Sequence, residues 1–339
     1  MARSRFSRLA PALLLMLLAP LLTEVLPGAT RFGAVMYVLP IEIAVWGGGA
    51  VLIRELVRRN GLGWQSLLLL GLALAIAEEC LIQQTSLAPV VIKLKGVEYA
   101  RWMGVNYVYL LWALAYESVL VVMLPVLLAE LIFPARREEA WLSKTGCTVV
   151  SLFFVLGCFL AWFSWTQIAR VKVFHLSPYT PPLAAVLIAV ATMAVLTFLA
   201  LRARRKAFAP ARPEQPPSPW LVALCGITWS ALLYAMVLLA FGIAPQVPPA
   251  VPIGAWAVAV AVGLGVLPHW TAHTDWCPAH RYALIFGVVG SAMAVSFFGF
   301  QGSPLPDIIF KVATNVVAVI LLVWLGLSLR RSTSAPRRS

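Results

Sequence analysis

Apolar runs of about 20 residues recur along the whole chain, each bounded by charge, Pro or Gly. They lie near 9–26, 34–53, 64–87, 105–133, 147–168, 182–201, 220–243, 251–268, 282–300 and 307–329. A helix of that length crosses a hydrocarbon core of about 30 Å. Lipid offers no partner to backbone N–H and C=O groups, so each run must pair its own backbone as an α-helix. The pattern predicts an all-α polytopic transmembrane helix bundle of ten spans, forming one integral membrane domain over residues 1–339.

Composition agrees with the pattern. Of 339 residues, 61% are hydrophobic and 12% are charged, about half the charge of a soluble domain. That excludes an ordinary soluble protein, and the hydrophobicity excludes disorder. The net charge of +13 is a footprint of nucleic-acid binding when it is gathered on one face. Here the basic residues fall in short clusters between apolar runs, so the lipid bilayer, and not nucleic acid, is the expected partner. With the N-terminus inside, nineteen Lys and Arg fall in inner segments, Arg54, Arg58 and Arg59 among them. Seven fall outside: Arg31, Lys93, Lys95, Arg101, Arg170, Lys172 and Lys311. This asymmetry predicts a multi-pass cell-membrane protein with both termini cytoplasmic.

The first span has a second reading. Arg3, Arg5 and Arg8 ahead of the Leu9–Leu22 run resemble a secretory signal, but no A-x-A site follows, which favours an uncleaved anchor. The segment 202–219, with Pro210, Pro213, Pro216, Pro217 and Pro219, reads as a cytoplasmic linker. Its basic stretch Arg202–Arg212 suits anionic lipid headgroups, worth about 1 kcal/mol per basic residue near the surface. Cys80, Cys147, Cys158, Cys225 and Cys277 avoid the outer loops, so no disulfide is expected. His269 and His273 have the spacing of two metal ligands but fall in the inner loop 268–281 without a completing set, and no metal is expected. No Walker loop, G-x-G-x-x-G, G-x-S-x-G or H-E-x-x-H occurs, so no cofactor is expected either.

Candidate chemistry lies in acids inside the spans, each costing about 2.5–3.5 kcal/mol to insert. Glu42 falls in the second span, Glu78 and Glu79 in the third, and Glu117 in the fourth. At ~1.5 Å per residue they sit ~13, ~21 and ~20 Å along their helices, which lets them share one cavity. Glu79, Gln83 and Ser86 fall at i, i+4 and i+7 and predict a polar stripe. Asn106, Ala113 and Glu117 predict another on the next span, with Tyr109 and Tyr116 beside it. The run Gly47-Gly48-Gly49 would allow close helix approach. Glu130 and Asp307, near span ends, are expected to reach headgroups and to be structural.

Glu78-Glu79-Cys80-Leu81-Ile82-Gln83 resembles the E-E-x-x-x-R motif of the CPBP intramembrane proteases, the CAAX-protease and bacteriocin-processing family. The resemblance implies a glutamate that activates water, helped by histidines on later helices. Gln83 stands in place of the motif arginine, and Glu117 stands where the F-x-x-x-H motif has its histidine. No His-x-x-x-Asn occurs on the sixth span. The wider stretch 77–134 is similar to uncharacterised bacterial multi-spanning membrane proteins, which implies a bacterial inner membrane and no particular activity.

Two functional readings remain. One is a protonatable cavity for proton-linked transport or small-molecule binding, lined by Glu42, Glu79, Gln83, Asn106, Tyr116 and Glu117. The other is a divergent or inactive CPBP-like hydrolase with Glu78 or Glu79 as general base and His175 as the second group. A third, plainer role for the acids is interhelical glue, protonated and hydrogen-bonded.

Overall fold

Ten helices occupy the ten apolar runs of the structure, a computed structural model that describes residues 5–89, 99–203, 215–244 and 246–334. They are α1 (Leu9–Val25), α2 (Val35–Arg59), α3 (Trp64–Ile82), α4 (Tyr107–Ile132) and α5 (Lys144–Val173). There follow α6 (Leu183–Arg202), α7 (Pro219–Ile243), α8 (Ala250–Thr271), α9 (Pro278–Phe300) and α10 (Leu305–Arg331). All but α1 are long and apolar enough to cross a membrane. The chain is therefore a polytopic helical bundle of the multi-pass membrane type. Most of the linker, including Arg204, Arg205, Lys206 and Arg212, lies outside the described residues, as do Lys93 and Lys95.

Several ends are set by local chemistry. Ser143 and Ser218 accept from the N–H groups of Gly146 (3.0 Å) and Leu221 (3.4 Å), opening α5 and α7. Asn106 accepts from Tyr109 N–H at 3.0 Å and opens α4, so the span predicted from 105 begins at Tyr107. Before it, β1 (Arg101–Trp102) and β2 (Val105–Asn106) form a two-stranded antiparallel hairpin. Met103 and Gly104 both take positive φ, as a two-residue turn of this kind requires.

Helix α4 is central, touching α1, α3, α7, α8 and α9, while α3 packs between α4 and α6. Helix α1 belongs to the core, with Ala12, Leu15, Ala19 and Leu22 buried. The glycine run brings α2 against three neighbours. A Cβ on Gly47 would fall on the Met16 backbone of α1, and one on Gly48 would lie 3.3 Å from Phe154 of α5. One on Gly49 would lie 2.8 Å from Leu74 of α3. Helices α7 and α9 make the most extensive helix pair.

Three polar residues are placed differently from the sequence expectation. Arg54, assigned to a solvated inner segment, is fully buried within α2. Its guanidinium meets Glu130 at 3.0 Å, the carbonyls of Arg137 (2.8 Å) and Glu139 (2.9 Å), and the ring of Trp141 at 3.2 Å. Glu130, expected among headgroups, is buried and also pairs with Arg58 at 2.7 Å. Lys311, counted as outer, is buried in α10. It donates to Leu26 O (2.9 Å), Pro27 O (3.2 Å) and Ser296 Oγ (2.7 Å), tying α10 to the end of α1. Arg54 and Lys311 each donate to backbone carbonyls that lie beyond a helix end and so have no α-helical partner.

Candidate functional site

Glu42, Glu78, Glu79 and Glu117 each lie where their α-helix widens into a π-helical turn. Glu42 directly precedes the π segment Ile43–Gly47, and Glu78 and Glu79 open the segment Glu78–Ile82. Glu117 opens Glu117–Met123. A fifth acid, Glu24, lies within Leu21–Val25 at the end of α1 and was not anticipated. Such turns disturb the regular i→i−4 pairing and recur at functional sites.

The five carboxyls converge. Glu24 neighbours Glu42 and Glu78, and Glu78 neighbours Glu79. The carboxyls of Glu79 and Glu117 lie within hydrogen-bonding reach of each other. Glu117 Oε2 has no hydrogen-bond partner among the described residues. Glu79 Oε2 also accepts from Thr85 Oγ1 at 2.7 Å and from Ser86 Oγ at 2.5 Å. Thr30 Oγ1 donates to Glu42 Oε1, whereas Glu42 Oε2 has no hydrogen-bond partner among the described residues. Glu78 is 1% exposed, and neither of its oxygens has a hydrogen-bond partner among the described residues. None of the five acids forms an ion pair among the described residues.

The polar stripe expected on α3 takes another form. The helix stops at Ile82, because Gln84 adopts a positive φ of 61° and the chain doubles back. Thr85 and Ser86 thus reach Glu79 from a turn, and Gln83 is left half-buried without a side-chain hydrogen bond among the described residues. Arginines hold that turn in place. Arg101 donates to Leu87 O (2.9 Å) and Ala88 O (3.2 Å), and Arg170 donates to Pro89 O (3.0 Å). Asn106, expected on a stripe with Glu117, is spent as the cap of α4, and its N–H donates to Ser86 O at 2.9 Å.

Tyr116 is buried at the cluster, its hydroxyl donating to Thr23 O next to Glu24. His175 stands apart. It is exposed, has a positive φ of 54°, and makes no hydrogen bond or ion pair among the described residues. His269 and His273 approach with ring centroids 5.5 Å apart. Among the described residues no group of three His, Cys, Asp or Glu is arranged to hold a metal ion.

Fold and site together define a multi-pass helical membrane protein with an intramembrane carboxyl cluster. Comparison with protein-family models, with curated proteins and with solved structures finds no match.

Proposed function

We propose that the carboxyl cluster is a proton-binding centre serving transport of a small solute across the cell membrane. The observation that carries this reading is the grouping of Glu24, Glu42, Glu78, Glu79 and Glu117 within the spans, none of them ion-paired among the described residues. Carboxyls in a low-dielectric interior are costly when ionised and alone. Each proton or cation gained or lost therefore changes the balance between helix arrangements, as coupled transport needs. The arrangement is expected to work from both faces of a bundle whose termini are cytoplasmic, with Arg202–Arg212 against anionic headgroups.

The test is uptake into proteoliposomes of solutes that first raise thermal stability in detergent. Glu79→Gln is expected to abolish the pH dependence of uptake while the purified variant keeps wild-type secondary structure. Uptake that keeps its pH dependence in Glu79→Gln and in Glu117→Gln removes the proposal. Orientation is tested by cysteine labelling in a cysteine-free background. Cysteine at Val173 is expected to react with an impermeant reagent from outside, and cysteine at Arg205 only after permeabilisation.

The hydrolase reading asks for a general base with a second group in reach. The Glu79 carboxyl is held by Thr85 and Ser86, and among the described residues His175 makes no hydrogen bond or ion pair with it. Cleavage of a membrane peptide lost in Glu78→Ala and Glu79→Ala would favour hydrolysis over transport.

A further inference from the structure

The start of α9 holds a nucleophile and a base in contact. Cys277 caps α9, and its Sγ lies 3.2 Å from Nδ1 of His280, one turn further on. The Cys277 backbone N–H donates to that same nitrogen at 3.2 Å. An amide N–H can only donate, so Nδ1 carries a lone pair and the imidazole proton sits on Nε2. His280 is buried, and Trp276 stacks on its ring at 4.9 Å, which fixes the plane of the imidazole. A thiol with a base in reach, and the base held by a further group, is the arrangement that activates a nucleophile.

Capping alone does not ask for these two residues. Ser, Thr, Asp or Asn suffices at the cap, and Glu or Gln three residues later completes the box. Ser143 and Ser218 cap α5 and α7 in that ordinary way. Cysteine and histidine add a polarisable sulfur and a nitrogen able to take its proton. The charge then left on sulfur meets the His280 N–H, which already donates to it, and the neighbouring Arg281 guanidinium. Arg137, Glu130 and Glu138 face Arg281 from α4 and the loop after it. Cys147, in the first turn of α5, is a matched comparison. It too is free and half-buried, but its side chain makes no hydrogen bond among the described residues.

We propose that Cys277 is a modification site, a thiol that His280 activates toward hydroperoxides. Its half-burial suits the small O–O–H group of a hydroperoxide better than a bulky electrophile such as an acyl thioester. Nδ1 takes the thiol proton as the sulfur attacks the terminal peroxide oxygen. An S–O bond forms, the O–O bond breaks, and the departing alkoxide or hydroxide takes the proton back from the imidazolium. Sulfur is oxidised to a sulfenic acid, and the hydroperoxide is reduced to an alcohol or water. The site lies apart from the carboxyl cluster and uses none of its residues.

The test is trapping of sulfenic acid by dimedone in the detergent-purified full chain, treated with hydrogen peroxide or cumene hydroperoxide. Mass spectrometry reads the rate at each cysteine. Cys277 is expected to be trapped at least tenfold faster than Cys147, and the two alike once the chain is unfolded in SDS. His280→Gln is expected to slow Cys277 at least tenfold while unfolding at the wild-type temperature, because glutamine there still completes the cap. Trapping of Cys277 no faster than Cys147 in the folded wild type overturns the inference. So does a rate unchanged by His280→Gln, or a difference between the two cysteines that survives SDS. Should His280→Gln fail to fold, the wild-type comparison with Cys147, folded against unfolded, carries the test alone.

Discussion

Arg54→Ala is expected to leave little folded protein, costing about 3–5 kcal/mol, the usual penalty for removing one partner of a buried ion pair. The reason is how much converges on one guanidinium. It joins Glu130 on α4, Glu55 on its own helix (3.4 Å), and the carbonyls of Arg137 and Glu139 in the following loop, while its face lies over Trp141. Alanine leaves those acceptors in a dry site, with only Arg58 still holding Glu130. Arg54→Lys keeps the charge but not the planar fork, and a single ammonium cannot reach carboxylate, carbonyls and ring together. Thermal unfolding in detergent should rank wild type above Arg54→Lys above Arg54→Ala. Equal stability of wild type and Arg54→Lys would show that charge, and not the fork, is what the site uses.

Gly287→Ala should cost about 2–3 kcal/mol through overpacking, while Gly290→Ala on the same helix should be neutral or slightly stabilising. A Cβ on Gly287 would land on the Ala223 carbonyl of α7, forcing apart the most extensive helix pair of the fold. Gly226 faces back across that contact, its Cβ position 3.1 Å from Leu284 O. Both glycines serve the close backbone approach on which helix association in lipid depends. A Cβ on Gly290 meets nothing within 4 Å. Unfolding of the two variants side by side isolates the contact from helix propensity. Equal losses at 287 and 290 would mean that the backbone, and not the interface, sets the effect.

The spans could be read from sequence because hydrophobic length is a local property. Their polar ends could not. Arg54 and Glu130 are 76 residues apart, and nothing local distinguishes a paired arginine at a span end from a solvated one. Lys311 escaped for the same reason, since its acceptors Leu26 and Pro27 lie at the other end of the chain. The site was partly legible. Glu42, Glu78, Glu79 and Glu117 stand out as acids within apolar runs, and the structure brings them together. Glu24 carries that same signal, but beside Pro27 and Gly28 it reads as the edge of a span. Gln83 was placed at the site by helical periodicity, which fails one residue earlier, where the helix ends.

The π-turns beside the acids have a mechanical consequence. A π-turn is a helix holding one residue more than its hydrogen-bond ladder can take in regular step. Moving that surplus residue one position along the helix leaves the ends of the span where they were. The residue it passes rotates by about 100°, the angle between neighbours on a helix. A carboxyl at such a turn is therefore mounted on a swivel: it can leave one set of partners and face another without any helix unwinding or sliding. Helices α1 to α4 each carry one of these swivels next to an acid.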